Sequence, residues 1–582
     1  MAPLAIGASP RSSVHFTPGA EEREVTNCFT ESRRQGEKAD PAIDHGPGLG
    51  EAAPRECGSG AAHNCDSDRT PGVRSRVALG QEASATSPNK VATFPLITEA
   101  LMTTALAKRD EVSPLLRIFI PGLAEWLGWG IRGQIGHETG AMIPGALVGL
   151  SLAVTASDPE IRRRAGLLGA TGAMGTSFGG TETYGQTLGL TMGETRDQTY
   201  WWGMLGIAIK GGAWIGLSGA YLGMAASDKD YTPLELLWLT GAMTALWHLG
   251  VETINRPHEP PDNLPRWYFS GGAGQGRPRP EIWAGQWFAL LGLLSYVSLV
   301  KRDQRATIMT AFGILGGAAG FSGAQAIQAW ARGKGLVKGD GLYRYLDWWK
   351  VMETTYGLIA GSYLGAGMMV AEAAGDRLPP RKDLSLVQTT MGRAAGGYAL
   401  LSHLQDRPWT EQAMDSMVIG NVAIANAFAC DVSAWMEALP LVHTYTMKNT
   451  LEYYEKEAGL EAAAPSVRCW SSIAGIALSV LSPVLAQAQR SGSRWAAAVG
   501  LLLAAWGQTT QSHVKMLLDR KMLEPGEGEG EAKALPPCEM VKRVVKGSKE
   551  RLPGQYGTET AFTVAALLLT GLVAYVLRKR RD

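Results

Sequence analysis

The sequence lacks most of the marks of familiar soluble classes. Its six cysteines (28, 57, 65, 430, 469 and 538) include no CxxC pair, so neither a disulfide framework nor a zinc ribbon is indicated. Positive charge is not in excess. The 55 Lys and Arg face 54 Asp and Glu, without the basic surplus of a nucleic-acid binder. There is no GxxxxGK[ST] phosphate loop and no HExxH, which leaves an ATP-driven motor and a zincin unsupported. No metal or cofactor is expected. Long Leu and Ile runs are scarce, and mean hydropathy is −0.04.

Tryptophan is missing from residues 1–113, whereas all 18 tryptophans lie between Trp126 and Trp506. The average therefore mixes two unlike parts. Residues 1–101 are rich in Gly, Pro, Ser, Ala and scattered charge, with no helical or strand period. Such a segment buries too little apolar surface to offset its ordering entropy, so the expectation is a disordered tail over 1–113. The first residues have no basic n-region followed by an apolar run, so no signal peptide is expected. Met102 would serve as a translation start.

What is there is a series of apolar stretches near bilayer length, about 20 residues each. They fall near 114–131, 141–157, 165–190, 200–226, 233–250, 282–300, 306–330, 347–371, 413–432, 470–489, 495–510 and 560–577. The expected fold is an all-α polytopic membrane protein of about twelve transmembrane helices in a lipid bilayer. Its parts are a tail (1–113), a first unit of four to five spans (114–253), a loop (254–281), the rest of a second unit (282–371), a C-terminal membrane region (372–510), a polar linker (511–559) and a last helix with a basic end (560–582). Many spans replace Leu and Ile with Gly and Ala; Gly212xxxGly216, Gly219xxxGly223 and Gly357xxxGly361xxxGly365 allow close helix contact. Tight static packing is favoured over sliding.

Basic residues fall in alternate loops: Arg162–Arg164, then Lys301, Arg302 and Arg305, then Arg377, Arg381 and Lys382, and the C-terminal Arg578–Arg581. By the positive-inside rule both termini are cytoplasmic in a cell or inner membrane. The loop 331–346 violates the rule. A span at 385–402 would invert everything after it.

Shifting the sequence by 147 residues aligns Gly145 with Gly292, Ser151 with Ser298, Gly169 with Gly316 and Trp201–Trp202 with Trp348–Trp349. This predicts a parallel four-helix internal repeat; at a different offset the 136–139 end of the first span matches 250–253 of the fifth, with Glu138 and Glu252 as symmetry mates.

Ionisable groups in or beside spans are costly and so are functional candidates. They are Arg132, His137, Glu138, Glu182, Lys210, His248, Glu252 and Glu353. Together they predict an acidic, glycine-rich cavity in the extracytoplasmic half, with Glu353 as one partner for Lys210. Trp201–Trp202 and Trp348–Trp349 fit interfacial anchors, and loop 254–281 fits a lid or a disordered cover. The expected function is transporter-like handling of a small polar or charged solute. The alternatives are a membrane enzyme acting on a lipid-linked or envelope substrate, and an assembly subunit. Substrate and oligomeric state are not encoded in any motif. Mass spectrometry of the native protein should find a terminus at Met102; peptides from residues 1–101 would reject that start.

Overall fold

A computed structural model gives the fold. It describes residues 112–135, 137–181, 184–192, 196–260, 263–270, 279–336, 341–375, 377–381, 384–403, 409–457, 464–521 and 553–578. The expected tail, all but Val112 and Ser113, and most of the polar linker lie outside the described residues. Among those residues all regular structure is helical. Five stretches are long and apolar enough to cross a membrane: Pro233–Asn255, Trp283–Val300, Gln304–Gly333, Ser471–Gln489 and Gly554–Arg578.

The main helices are α1 (Pro114–Ile135), α2 (His137–Thr155), α3 (Ala165–Ser177), α4 (Tyr184–Gly189), α5 (Arg196–Ala225), α6 (Pro233–Gly250), α7 (Trp283–Ser295), α8 (Gln304–Gly333), α9 (Trp348–Ala373), α10 (Leu386–His403), α11 (Trp409–Ala429), α12 (Asp431–Met436), α13 (Val442–Glu457), α14 (Ala464–Gln489), α15 (Trp495–Lys521) and α16 (Pro553–Arg578). Their starts are written locally. Thr232 and Glu235 form a reciprocal capping box ahead of Pro233, and Asp303 and Asp347 each accept backbone N–H groups of the turn they open.

Glycine sets how these helices meet. Along α5 and α8, a Cβ on Gly211 would sit 2.4 Å from the Gly317 carbonyl, on Gly313 2.3 Å from that of Ile215, and on Gly219 2.3 Å from that of Met309. The two helices touch backbone to backbone. Along α1 and α9, Gly357, Gly361 and Gly365 face the carbonyls of Glu125, Pro121 and Arg117 at 2.4, 2.4 and 2.5 Å. Gly145 and Gly149 of α2 do the same against Gly172 and Leu168 of α3. These seams are close packing, and the α5 seam runs through Gly211 and Gly219, whereas Gly212 and Gly216 face Trp287, Ile314 and Leu290.

One end of the bundle is closed by arginine. Arg162 donates to the carbonyls of Ala156, Ser157 and Gly492, Arg494 to Val154 and Ala156, Arg164 to Ala225, Ser227 and Pro379, and Arg305 to Ala226. Most are the terminal carbonyls of α2 and α5 and of the turns beyond them, which have no intrahelical donor; those of Gly492 and Pro379 follow α14 and α9. Burial lowers the Arg164 guanidinium to about 10. Burial likewise raises the Asp303 carboxyl above its usual range, where Tyr231 donates to it at 2.6 Å. The basic loop residues are thus buried caps as well as charge.

The path follows from these contacts. The loops after α2, α5, α7, α9 and α14 meet at this capped end. Gly392 of α10 lies against Ala429 and Pro233, and Arg381 bonds the Phe428 carbonyl, so α10 leaves the capped end and α11 returns to it. Trp435 packs on Gly166 near the capped end, and Thr446 of α13 bonds Gln511 of α15 away from it, so α12 and α13 make a further outward pass. Among the described residues, with α3 and α4 taken together and α12 and α13 together, the helices form fourteen segments, of which five are long and apolar enough to cross a membrane. The twelve expected stretches leave out the helical segments 386–403, which matches the alternative span at 385–402, and 431–457. The expected span 165–190 is broken: α3 stops at Ser177, a 3-10 turn covers Phe178–Thr181, and α4 is six residues long. The linker expected from residue 511 begins later, since α15 continues to Lys521.

The aligned glycines do not occupy equivalent places. Gly145 meets the backbone of α3, whereas Gly292 meets Leu246 of α6; Gly169 meets Ala438, whereas Gly316 meets Tyr363.

Gly219→Ala should lower stability by about 1–3 kcal/mol, the usual cost of overpacking. Gly241→Ala, where no atom lies within 4 Å of the added Cβ, should be neutral or stabilising. Thermal unfolding in detergent checks this pair, and equal effects would contradict the seam.

Candidate buried cation cluster

At the end opposite the arginine caps, five helices each bring polar or aromatic residues three or four positions apart, hence on one face. From α1 come Glu125, Trp129 and Arg132; from α4, Tyr184 and Thr187; from α5, Lys210 and Trp214; from α8, Phe321 and Gln325; and from α9, Glu353 and Tyr356.

Arg132 is the centre of this group and is buried. Its guanidinium carbon lies 5.0 Å from the Tyr184 ring centroid, 5.3 Å from Trp214 and 5.6 Å from Trp129, an arrangement in which the negative ring faces stabilise the cation. Nη1 donates to the Tyr184 hydroxyl and sits 4.0 Å from Glu353 Oε1. Nε is buried, and among the described residues it has no hydrogen-bond partner. Glu353 in turn accepts from Lys350 Nζ at 2.7 Å and Trp349 Nε1 at 3.0 Å. Gly133 makes room for that carboxylate, because a Cβ there would fall 1.7 Å from Glu353 Oε2. Two cations therefore surround one carboxylate.

The break after α3 serves this layer. Gly179 leaves space for the Trp214 indole, whose nearest atom would be 1.9 Å from an added Cβ. The carbonyls released by the break are taken up by side chains: Trp214 Nε1 donates to Thr176 O at 2.6 Å, and Gln286 Nε2 to Phe178 O at 3.0 Å. The chain then forms the short α4, which carries Tyr184 into the aromatic group beside Phe321 and Trp349.

Beside it lies a second buried pair. Lys210 Nζ is 2.8 Å from Glu281 Oε1, 2.9 Å from Thr187 Oγ1 and 3.3 Å from Ser270 Oγ. Glu281 also accepts from the Phe269 N–H at 3.0 Å and the Ser270 hydroxyl at 2.7 Å. The expected pairing of Lys210 with Glu353 is thus corrected: each has its own partner, and Glu281 was absent from the expected set. The described parts of loop 254–281 are likewise anchored, since Trp202 stacks on Trp267 and donates to Tyr268 O at 2.8 Å. In that loop burial lowers the His258 imidazole, with Arg256 adding to the effect, and raises the Tyr268 phenol.

Of the expected site residues, Arg132 and Glu353 come together and Lys210 lies in the adjoining layer. His248 and Glu252 are exposed beyond it, with Glu252 3.8 Å from Arg256. The side chains of His137 and Glu138 and the whole of Glu182 lie outside the described residues. Trp201 is exposed as an interfacial anchor would be, but Trp349 turns inward to Glu353. Among the described residues no group of three or more His, Cys, Asp or Glu is placed to hold a metal. Searches against protein-family models, curated proteins and solved structures found no match to this chain.

Lys210→Met leaves Glu281 buried and uncompensated, which should cost about 3–5 kcal/mol. The double change Lys210→Met with Glu281→Gln should recover part of that loss. Unfolding measurements in which the double variant is no better than the single one would contradict the pair.

Proposed function

We propose that this chain is a polytopic membrane protein with a transporter-like site, centred on Arg132, for a small solute bearing an anionic or acceptor group. The observation that carries this reading is the buried Arg132 guanidinium with an unpartnered Nε, set beside a broken helix. A buried donor without an acceptor costs free energy unless something completes it. Irregular backbone at membrane depth is tolerated where it is enclosed by protein or lines a cavity, and discontinuous helices of this kind form solute sites in transporters. The expected acidic cavity becomes a cationic one, because Glu353 already has Lys350 and Arg132 as counter-charges.

In this reading the fourteen segments cross a cell or inner membrane, with the arginine-capped end cytoplasmic. Arg302 and the C-terminal basic cluster favour that orientation. The four-helix duplication rests on sequence spacing alone. The place of Arg132 in the last turn of α1 and Glu353 in the second turn of α9 also suits an enzyme working at the interface on an anionic lipid-linked substrate. Such an enzyme would change the solute covalently, and an assembly subunit would neither move nor change it.

The test is uptake by the full chain in liposomes, screened over labelled carboxylates, amino acids and amines. Arg132→Gln and Glu353→Gln should reduce uptake about tenfold or more, equivalent to ~1.4 kcal/mol of solute binding. Glu252→Gln should leave it unchanged. Full uptake in both of the first two variants would overturn the site.

A further inference from the structure

One buried carboxyl is left over from both ion-pair groups. Glu125 sits on α1 two turns before Arg132 and is 0% exposed. Among the described residues its hydrogen-bond donor is Trp129 Nε1, at 3.2 Å from Oε1, and Oε2 has no partner. Among the described residues no Lys, Arg or His nitrogen forms an ion pair with it. Against it lies the α1–α9 glycine seam. Oε2 and the Pro121 carbonyl oxygen both crowd the position of a Gly361 Cβ, at 2.8 and 2.4 Å. An ionised carboxylate so placed would face carbonyl oxygen and hydrocarbon with a single donor, which is the costliest state for a buried acid. A protonated one is neutral and carries an O–H on the side of the Pro121 carbonyl, so it avoids that cost.

We propose that Glu125 is a proton-binding site of this protein, and that its proton is exchanged together with the anionic solute at Arg132. The proton site stands on the geometry of Glu125 alone; the coupling deepens the transport reading and rests on it. Trp129 connects the two places. Its indole N–H holds Glu125, and its ring lies 5.6 Å from the Arg132 guanidinium carbon and 4.5 Å from the Tyr356 ring centroid. The titratable or charged groups facing this region are Arg132 on α1, Tyr184 on α4, and Glu353 and Tyr356 on α9. The Tyr356 hydroxyl is buried, and among the described residues it has no partner. Only the Glu125 O–H bond breaks and forms: the proton goes to water on one side of the membrane and is taken from water on the other. Moving an anion with one proton carries one fewer negative charge across the bilayer than moving the anion alone.

The experiment is infrared spectroscopy of the purified full chain in lipid at neutral pH. It reads the carbonyl stretch of protonated carboxylic acid. Glu125→Gln should remove the intensity of a single carboxyl, and Trp129→Phe, which deletes the donor to that group, should shift the same band. If Glu125→Gln fails to fold, the Trp129→Phe shift decides alone. A band unchanged in Trp129→Phe overturns the proton site. In liposomes, uptake of the active carboxylate should be driven by an inward proton gradient in the wild type and lose that dependence in Glu125→Gln. A gradient response kept in Glu125→Gln overturns the coupling. If the band behaves as described while no solute is taken up by any form, the transport reading fails and the proton site stands.

Discussion

The structure depends on backbone meeting backbone. Where α1 meets α9, α2 meets α3 and α5 meets α8, no side chain separates the helices, and the carbonyl of one lies where a methyl group of the other would be. The contact draws on close packing and needs little hydrophobic surface. A chain whose apolar stretches are rich in Gly and Ala, with near-zero mean hydropathy, can therefore build a bundle of this size. The same closeness fixes where polar groups are admitted. Gly133 admits the Glu353 carboxylate, Gly361 admits Glu125 and Gly179 admits the Trp214 indole. The glycines that pack the bundle also set the places that charge can occupy.

The two ends solve one problem in different ways. Helix termini carry carbonyls and N–H groups without partners. At one end, arginines reach back from the loops and bond the last carbonyls of α2 and α5, so that charge is spent on closure. At the other end, the carbonyls released by the break after α3 are taken by Trp214 and Gln286, and Arg132 is left among aromatic faces with a donor to spare. That asymmetry is the physical reason for placing the functional site at the second end. Lys210 and Glu281 sit beside it as a completed pair that anchors the neighbouring loop.

The sequence made much of this legible. Most helix positions follow from apolar length, and the capping box at Thr232 and the Asp caps at 303 and 347 mark starts directly. The two segments outside the twelve are polar: α10, the alternative span at 385–402, carries Arg393 and several Thr and Gly, and α13 carries Tyr453, Tyr454 and several Glu. The break after α3 lay in the Gly179–Gly180 pair but was hidden by a span-length window. Arg132, Lys210 and Glu353 stood out because charge in an apolar helix is costly. Glu125 has the same signal and was passed over; the Glu125–Trp129 spacing of four, followed by Arg132 three further on, would have revealed the shared face. The partner of Lys210 could not be read from sequence, because Glu281 lies beyond a loop whose path only tertiary structure fixes.

In this reading the Arg132 layer lies at the end of a membrane bundle opposite the arginine caps. Reaction of single cysteines at positions 185 and 302, in a cysteine-free background, with a membrane-impermeant thiol reagent tests it most directly. Gly185 is exposed beside Tyr184, and Arg302 is exposed at the capped end. The account predicts that each site is labelled from one side only and that the two sides are opposite. Labelling of both from the same side, or no labelling at 185 from either, would contradict it.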